Sequence, residues 1–536
     1  MSVQLAALSD ALNGSSLKRV GPIRDSDAKW PFRASTHEVR RLRLNLNVYT
    51  PFLQLPPESK LLPLEEVIAN LIEYSKKADG TIVFLSETAL PSVYDKELQD
   101  RSIAVLDQDL LQEFLETRDV SARYRILGSG LARSLGHSRL SPYLYGSPIS
   151  GAGFFGRETL LGYILPGKGI RNTTIVGNRR IGKTSCLLEI RDRLKNIYDY
   201  PKTLRIAELY GSKCKSTWDA VYSIFDQVGL RIPNKWTKFG AIAPRYVLKM
   251  PQLLHDFARQ NELQIVIFID EYDDLLYRDS KNNYEFTHLL RETVMDRSNN
   301  CYVVIAGFRI LMRERTLHAS PLFNIAPGKE LTPLSQQESM EMITEPLLRM
   351  GIDLPSELQG AIYRETRGQP ELIQMYCSAA IELFHEKKRT PTPAELLRKV
   401  NGSSEFRSTI LQSFFFNATA IEQIVCLELM KKAIVAQQDP RRYEFRRTDI
   451  EQTLSTYGSN LSNAFVEGIV SNLTTGSFLE ENPPAVFRFA TPQLVRFCER
   501  ESIDVLLTRA RNELGSTLPS ADELIYDSHL PGRTQE

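Results

Sequence analysis

The chain has almost no net charge. It carries 66 Lys and Arg against 65 Asp and Glu, a formal +1 over 536 residues. Such a balance gives no global pull toward nucleic acid or a membrane surface. Tight nonspecific DNA binding is therefore not expected, and only a local basic patch would serve it. Cysteine is scarce as well. The six residues Cys186, Cys214, Cys301, Cys377, Cys426 and Cys498 form no C-x-x-C pair and are spread along the chain. This excludes a disulfide frame or a zinc module and predicts buried free thiols in a reducing compartment. The seven histidines show no metal spacing. Long apolar runs are missing too: "IVIFI" at 265–269 is far too short to span a bilayer. The opening "MSVQLAALSDAL" lacks a basic start followed by an apolar stretch, so no signal peptide is expected. There is no internal repeat and no low-complexity block. Together these absences argue for a cytoplasmic location.

What is present reads as globular protein of several domains. Hydrophobic residues make up 42% and charged residues 24%, ordinary values for a soluble fold. A chain this long exceeds what one core usually supports. Residues 1–30 are polar and predict a flexible N-terminus. Residues 31–135 alternate strand and helix patterns, among them "LEEVIANLIEYSKKA", "TIVFLS" and "DLLQEFLETRD", which predicts a small α/β domain. The stretch 136–153 is rich in Gly, Ser and Pro and predicts a linker. From 154 to 334, buried-strand patterns ("TTIV", "LRIAELY", "QIVIFID", "YVVIAG", and the short "KELTPL") are separated by helical ones. Residues 335–402 read as helical, 403–510 as helices with a late hairpin, and 511–536 as a flexible tail.

The stretch "TTIVGNRRIGKTSCLLEI" carries the chemistry. A β-branched run reaches Gly177, and Gly182, Lys183 and Thr184 open an apolar helix, in the form G-x-x-x-x-G-K-[ST]. Glycines in such a loop let backbone N–H groups turn toward phosphates, and the helix behind presents its positive end. The residues from Gly177 through Asn178, Arg179, Arg180, Ile181, Gly182, Lys183, Thr184 and Ser185 are thus the expected ATP cradle. Lys183 would reach the β- and γ-phosphates, and Thr184 would hold Mg²⁺. The bland alternative is an ordinary strand-turn-helix with a surface lysine. The segment "LQIVIFIDEYDDLL" weighs against it, because an acid pair at the tip of a buried strand meets such a loop at the ligand crevice. Asp270 is the expected orienter of the metal shell, and Glu271 the expected general base toward water. Asp273 and Asp274 read as a solvated helix start. The strand "CYVVIAGFR" ends at Arg309, a cation placed to sense the terminal phosphate or else a plain surface arginine. Arg313 and Arg315 follow on the same exit, and the sequence does not choose which arginine, if any, acts in trans.

In order along the chain stand "FFGRETLLGYI", "IVGNRRIGKTS", "IFIDEYDDLL", "VVIAGFRIL", "SPLFN", "ELTPLSQQES", "ITEPLLRMGI" and "TRGQPELIQMYC". This series resembles the bacterial STAND ATPases, signal-transduction relatives of the AAA+ and origin-recognition ATPases, over about residues 150–500. The resemblance implies an α/β P-loop NTPase fold: a parallel sheet with a helical lid, a C-terminal winged helix and a small N-terminal α/β domain. It implies that "FFGRE" packs against the nucleotide through Gly156, Arg157 and Glu158. Leu160 stands where the family usually has a second acid. It implies that Gly368 and Pro370 of "RGQP" lie against the base or ribose, although a proline there also suits a plain helix start.

The resemblance also implies that residues 418–500 form the winged helix. Its third helix would enter a major groove if it read DNA. Yet Ser462, Asn463, Glu467, Ser471 and Asn472 offer no cation to phosphate there. A protein contact or an autoinhibitory role is favoured, with Arg441, Arg442, Arg446 and Arg447 as the counter-evidence. The N-terminal domain faintly resembles the second half of restriction-endonuclease-like domains, but residues 30–100 hold no D…E-x-K set. It reads as a non-catalytic sensor or adaptor. The expected function is an ATP-binding switch with slow ATP hydrolysis, serving assembly or a separate effector or sensor protein. The family implies anti-phage defence and self-association. The rival is a DNA-binding ATPase like the origin-recognition proteins, and no membrane partner is expected.

Overall fold

The computed structural model describes residues 33–38, 49–54, 82–85, 98, 100–167, 169–231, 237–238, 241–242, 244–295, 300–308, 326–406, 415, 418–457, 461–481 and 483–515. The expected helix over 64–78, the expected flexible ends 1–30 and most of 511–536, and Arg309, Arg313 and Arg315 lie outside these residues.

The first four strands are β1 (Arg33–Glu38), β2 (Tyr49–Gln54), β3 (Ile82–Leu85) and β4 (Ile103–Leu106). They form one sheet in that order; β1 and β2 run antiparallel, and the other two pairs run parallel. Helices α1 (Gln108–Glu116), α2 (Val120–Leu135) and the short α3 (His137–Leu140) follow. Asp107 and Asp119 start the first two by accepting the N–H groups of Leu110 and Ala122 at 2.9 and 2.6 Å, the usual work of an acidic N-cap.

The central layer is a second sheet. Helix α4 (Glu158–Ile164) precedes β5 (Thr173–Gly177), α5 (Lys183–Ile197), β6 (Leu204–Tyr210), α6 (Thr217–Val228), α7 (Met250–Gln260), β7 (Gln264–Asp270), α8 (Tyr272–Ser280), α9 (Glu285–Met295), β8 (Cys301–Gly307) and β9 (Gly328–Leu331). The strand order is β9-β5-β8-β7-β6, with every pair parallel. Continuous apolar strands suit a sheet covered on both faces. Along β7, Ile265, Ile267 and Ile269 enter the core against α6–α9, while Val266 and Phe268 enter the core against α4 and α5. Because β8 lies between β5 and β7, its tip at Gly307 stands between the phosphate loop and the acid pair. This is the expected α/β fold with a P-loop sheet.

Four helices follow: α10 (Gln336–Arg349), α11 (Ser356–Thr366), α12 (Pro370–Lys387) and α13 (Pro393–Gly402). Beyond them lie α14 (Ala420–Val435), β10 (Phe445–Arg446), α15 (Arg447–Ser455), α16 (Asn463–Thr475), β11 (Leu479–Glu481), β12 (Val486–Phe489), α17 (Pro492–Glu501) and α18 (Ile503–Leu514). The three short strands form one antiparallel sheet in the order β10-β12-β11. A single apolar core joins this C-terminal unit, the α10–α13 lid and helices α1–α3, running from Leu110 and Leu131 through Tyr376 to Leu494 and Ala510.

The stretch expected to be a linker is a packed strap. Leu140 and Tyr143 are buried in that shared core, and the Tyr143 hydroxyl meets the carbonyls of Met342 and Ile343 at 2.9 and 3.0 Å. Ile149 N–H donates to Ser185 Oγ at 3.0 Å, and Gly151 N–H to Glu189 Oε2 at 2.9 Å. Turn-forming residues set its irregular backbone, while the apolar residues between them anchor it. All six cysteines are buried free thiols, as expected. Among the described residues no helix is long and apolar enough to cross a membrane.

Candidate nucleotide site

The loop after β5 closes on α5 with Gly182 in the left-handed region at the helix start. Lys183 Nζ donates to the carbonyls of Gly177 and Asn178, both at 2.8 Å, and lies 5.6 Å from the centre of the Phe308 ring. Burial pushes its ammonium down to about 8, against the opposing pull of Asp273 and Asp270. Arg179 N–H donates to Asn178 Oδ1 at 2.8 Å. The Asn178 amide donates to Gly476 O at 2.5 Å. That bond ties the loop to the end of α16, in the C-terminal unit.

Thr184 Oγ1 donates to Asp270 Oδ2 at 2.6 Å, and Glu271 N–H donates to Asp270 Oδ1 at 2.9 Å. Burial raises the Asp270 carboxyl, and those two hydrogen bonds oppose the rise. A hydroxyl and a carboxylate in contact are the hard oxygen donors that Mg²⁺ takes alongside phosphate oxygens. The donor set therefore fits a nucleotide-bound Mg²⁺ held by Thr184 and Asp270. Glu271 begins α8 in the left-handed region and is exposed. Its Oε2 accepts the Ser212 hydroxyl at 2.5 Å. The neighbouring Gly211 allows this: a Cβ there would lie 2.1 Å from Glu271 O.

Asp273 corrects the solvated reading. It is buried, and its Oδ2 accepts the Phe308 N–H at 2.5 Å, binding the start of α8 to the tip of β8. The geometry of β7 and β8 side by side decides this, and a helix-start acid in isolation does not reveal it.

The expected family positions divide. Arg157 belongs to the site: its Nη2 donates to Thr332 O at 2.6 Å, its N–H to Glu338 Oε1 at 2.9 Å, and it lines the cavity beside the loop. Glu158 does not. It faces away and pairs with Arg193 through two bonds of 2.8 and 3.0 Å on the flank of α5. Leu160 packs against the sheet core. Pro370 lines the cavity. Gly368 instead lies against the sheet end, where Leu334 N–H donates to its carbonyl at 2.8 Å. Its φ is +77°, and a Cβ would come within 2.1 Å of Leu334 O, so only glycine fits this junction.

The cavity itself holds about 280 Å³ and runs from Gly182–Ser185 to the strap. Leu144 through Ile149, Phe154 and Phe155 form one wall, and Leu334, Met342, Pro370, Glu371 and Gln374 another. Glu371 closes it, pairing with Arg180 of the loop and accepting the Gly146 N–H at 3.2 Å. The strap, Ser212, Glu371 and Gln374 were not among the residues expected at the site. The spacing of Pro370, Glu371 and Gln374 on one helix start was the available signal.

Residues 150–479 match the family model described as Novel STAND NTPase 1. No curated protein matches the chain. Among solved structures it is similar to the Aeropyrum pernix ORC2 protein in its ADPNP–ADP complexes, at 16% identity and a TM-score of 0.46, covering 66% of this chain and 93% of that one. It is similar to a Walker-type ATPase of Pyrococcus abyssi at 14% identity and a TM-score of 0.42, covering 65% and 96%. It is also similar to the Thermotoga maritima RuvB Holliday junction branch migration motor at 15% identity and a TM-score of 0.34, covering 65% and 95%.

Proposed function

Since the chain belongs to the Novel STAND NTPase 1 family, we propose that it is an ATP-binding switch with slow hydrolysis, whose C-terminal unit restrains the nucleotide site. The observation that carries this reading is the bond from Asn178 in the phosphate loop to Gly476 O at the end of α16. A loop that must wrap phosphates is held by the unit farthest along the chain. The Arg180–Glu371 pair adds a second tie, to the lid. Both touch the residues that a nucleotide would reorganise.

In this reading Lys183 and the loop N–H groups bind the triphosphate, and Thr184 with Asp270 holds Mg²⁺. The metal neutralises phosphate charge when bound. Glu271 takes a proton from the attacking water. The switch moves only if ATP and ADP differ in affinity for the open and closed forms. Release would then expose surfaces for self-association or for a separate effector or sensor protein, with anti-phage defence as the setting the family suggests.

Purification with nucleotide analysis, followed by titration calorimetry of wild type and Lys183→Ala, tests the core of this. Wild type should hold nucleotide and the variant should not. Unchanged ATP affinity in Lys183→Ala would remove the basis of the reading.

A DNA-binding ATPase is the second reading, supported by the exposed side chains of Arg442 and Arg446. The remaining cations of that cluster are engaged: Arg441 with Asp439, and Arg447 with Glu451 and Glu467. Glu467 lies on α16, the helix that would have to face DNA. A steep salt slope in duplex binding, lost when Arg442 and Arg446 are neutralised, would favour this second reading.

A further inference from the structure

We infer that Gln374 reads the base of the bound nucleotide and selects adenine over guanine, a proposal that rests on the nucleotide-site reading above. Gln374 stands one helical turn beyond Pro370 on α12, so the two share a face. Both line the cavity that begins at Lys183 and Thr184. The phosphate end of a nucleotide is fixed by that loop, which leaves the far end, between the strap and α12, for the base.

The wall there is largely apolar, with Phe154, Phe155, Leu334 and Met342. Such a wall suits the faces of a purine ring but cannot tell one purine from another. Gln374 can. It is 4% exposed, and its Oε1 has no hydrogen-bond partner among the described residues. A buried acceptor without a partner is unfavourable in a folded protein unless a ligand supplies the donor. The charged groups at this cavity, Arg157, Arg180, Lys183 and Glu371, are engaged with backbone carbonyls or with each other.

The donor that fits is the exocyclic amino group at C6 of adenine. A glutamine carboxamide offers one acceptor and one donor side by side. Adenine offers the complement, its amino group next to a ring nitrogen, and the same pairing lets glutamine read adenine edges elsewhere. Guanine carries a carbonyl oxygen at that carbon. At the edge that also carries N7, guanine thus offers only acceptors, so neither orientation of the carboxamide finds a donor there for Oε1.

The test is calorimetric titration of the full chain, in Mg²⁺ buffer, with ATP, GTP and purine riboside 5′-triphosphate, which lacks the 6-amino group. Wild type should bind ATP roughly tenfold or more tighter than either of the others, the discrimination a good amide–base pair gives. Gln374→Leu should bring ATP down to the affinity of purine riboside triphosphate and leave the latter within about twofold, since the variant removes only the amide pairing. Equal binding of the three by wild type, or an unaltered ATP preference in Gln374→Leu, overturns the inference. The wild-type comparison stands even if the variant does not fold. If wild type binds all three equally and Lys183→Ala binds none, only the base reading fails. If wild type binds no triphosphate, the nucleotide site itself is refuted.

Discussion

Lys183 carries two opposite pH dependences. Its ammonium titrates at about 8 in the fold because it is buried, while an unfolded lysine titrates near 10.4. Between these values the unfolded chain binds more protons, so this residue makes stability rise with pH across that window. Triphosphate binding needs the charged form, so ATP affinity should fall by up to about tenfold per pH unit above about 8, with proton uptake on binding. Calorimetry in two buffers of different ionisation enthalpy reads the proton directly, and thermal melts read the stability slope. A flat affinity from pH 7.5 to 9.5 would contradict this picture of Lys183. Glu271 gives a second prediction. Glu271→Gln should keep ATP binding and lose hydrolysis by about 100-fold or more, since an amide cannot take a proton from water. Loss of binding together with turnover would make the residue structural. Ser212 donates to the Glu271 carboxylate, and that bond occupies an oxygen the attacking water would otherwise meet. Ser212→Ala should therefore raise single-turnover hydrolysis by about tenfold, the low end of what one hydrogen bond to a charged group is worth. A slower rate would instead give the serine an orienting task.

The turn before α12 shows what one junction does for an element. Gly368 holds φ +77° against the Leu334 carbonyl, and Pro370 then starts the helix that walls the cavity. Gly368→Ala should cost on the order of 2 kcal/mol or more and loosen the lid, seen as a lower melting temperature with weaker ATP binding. A melt unchanged within a degree would mean that the junction absorbs the methyl group freely. Elements whose signal is local were readable from sequence: the phosphate loop, the buried strand ending at Asp270 and the proline-started α12. Glu158 and Asp273 were not readable, because their environments depend on partners far along the chain. Arg193 takes the first away from the cavity, and the Phe308 N–H takes the second into the core. The strap misled by composition, since Gly, Ser and Pro describe backbone freedom and say nothing of Tyr143 reaching the lid. Gln374 looked like any helical polar residue until the cavity gave it a wall to belong to.

At the scale of the molecule, helices α1–α3, the lid and the C-terminal unit share one core. Deleting residues after about 405 would therefore strip apolar cover from α12 and α13. That truncation should lose cooperative unfolding, not merely restraint, and scanning calorimetry would tell: a sharp transition would show the lid to be self-sufficient. Asn178→Ala is the cleaner way to release the loop from Gly476, and it should speed ADP release in stopped-flow measurements with a fluorescent nucleotide. An unchanged rate would deny the C-terminal unit its restraining part. The strap adds a consequence of another kind, a length. Its Tyr143 end is fastened to Met342 and Ile343 on α10, and its Ile149 end to Ser185 on α5. From 143 to 149 a fully extended chain covers at most about 20 Å. While both fastenings hold, this is a leash: the cleft between sheet and lid can widen on that side only to the leash's reach. Spin labels placed across the cleft should then give a distance distribution with a hard upper edge, which moves outward only when Tyr143 loses its hold.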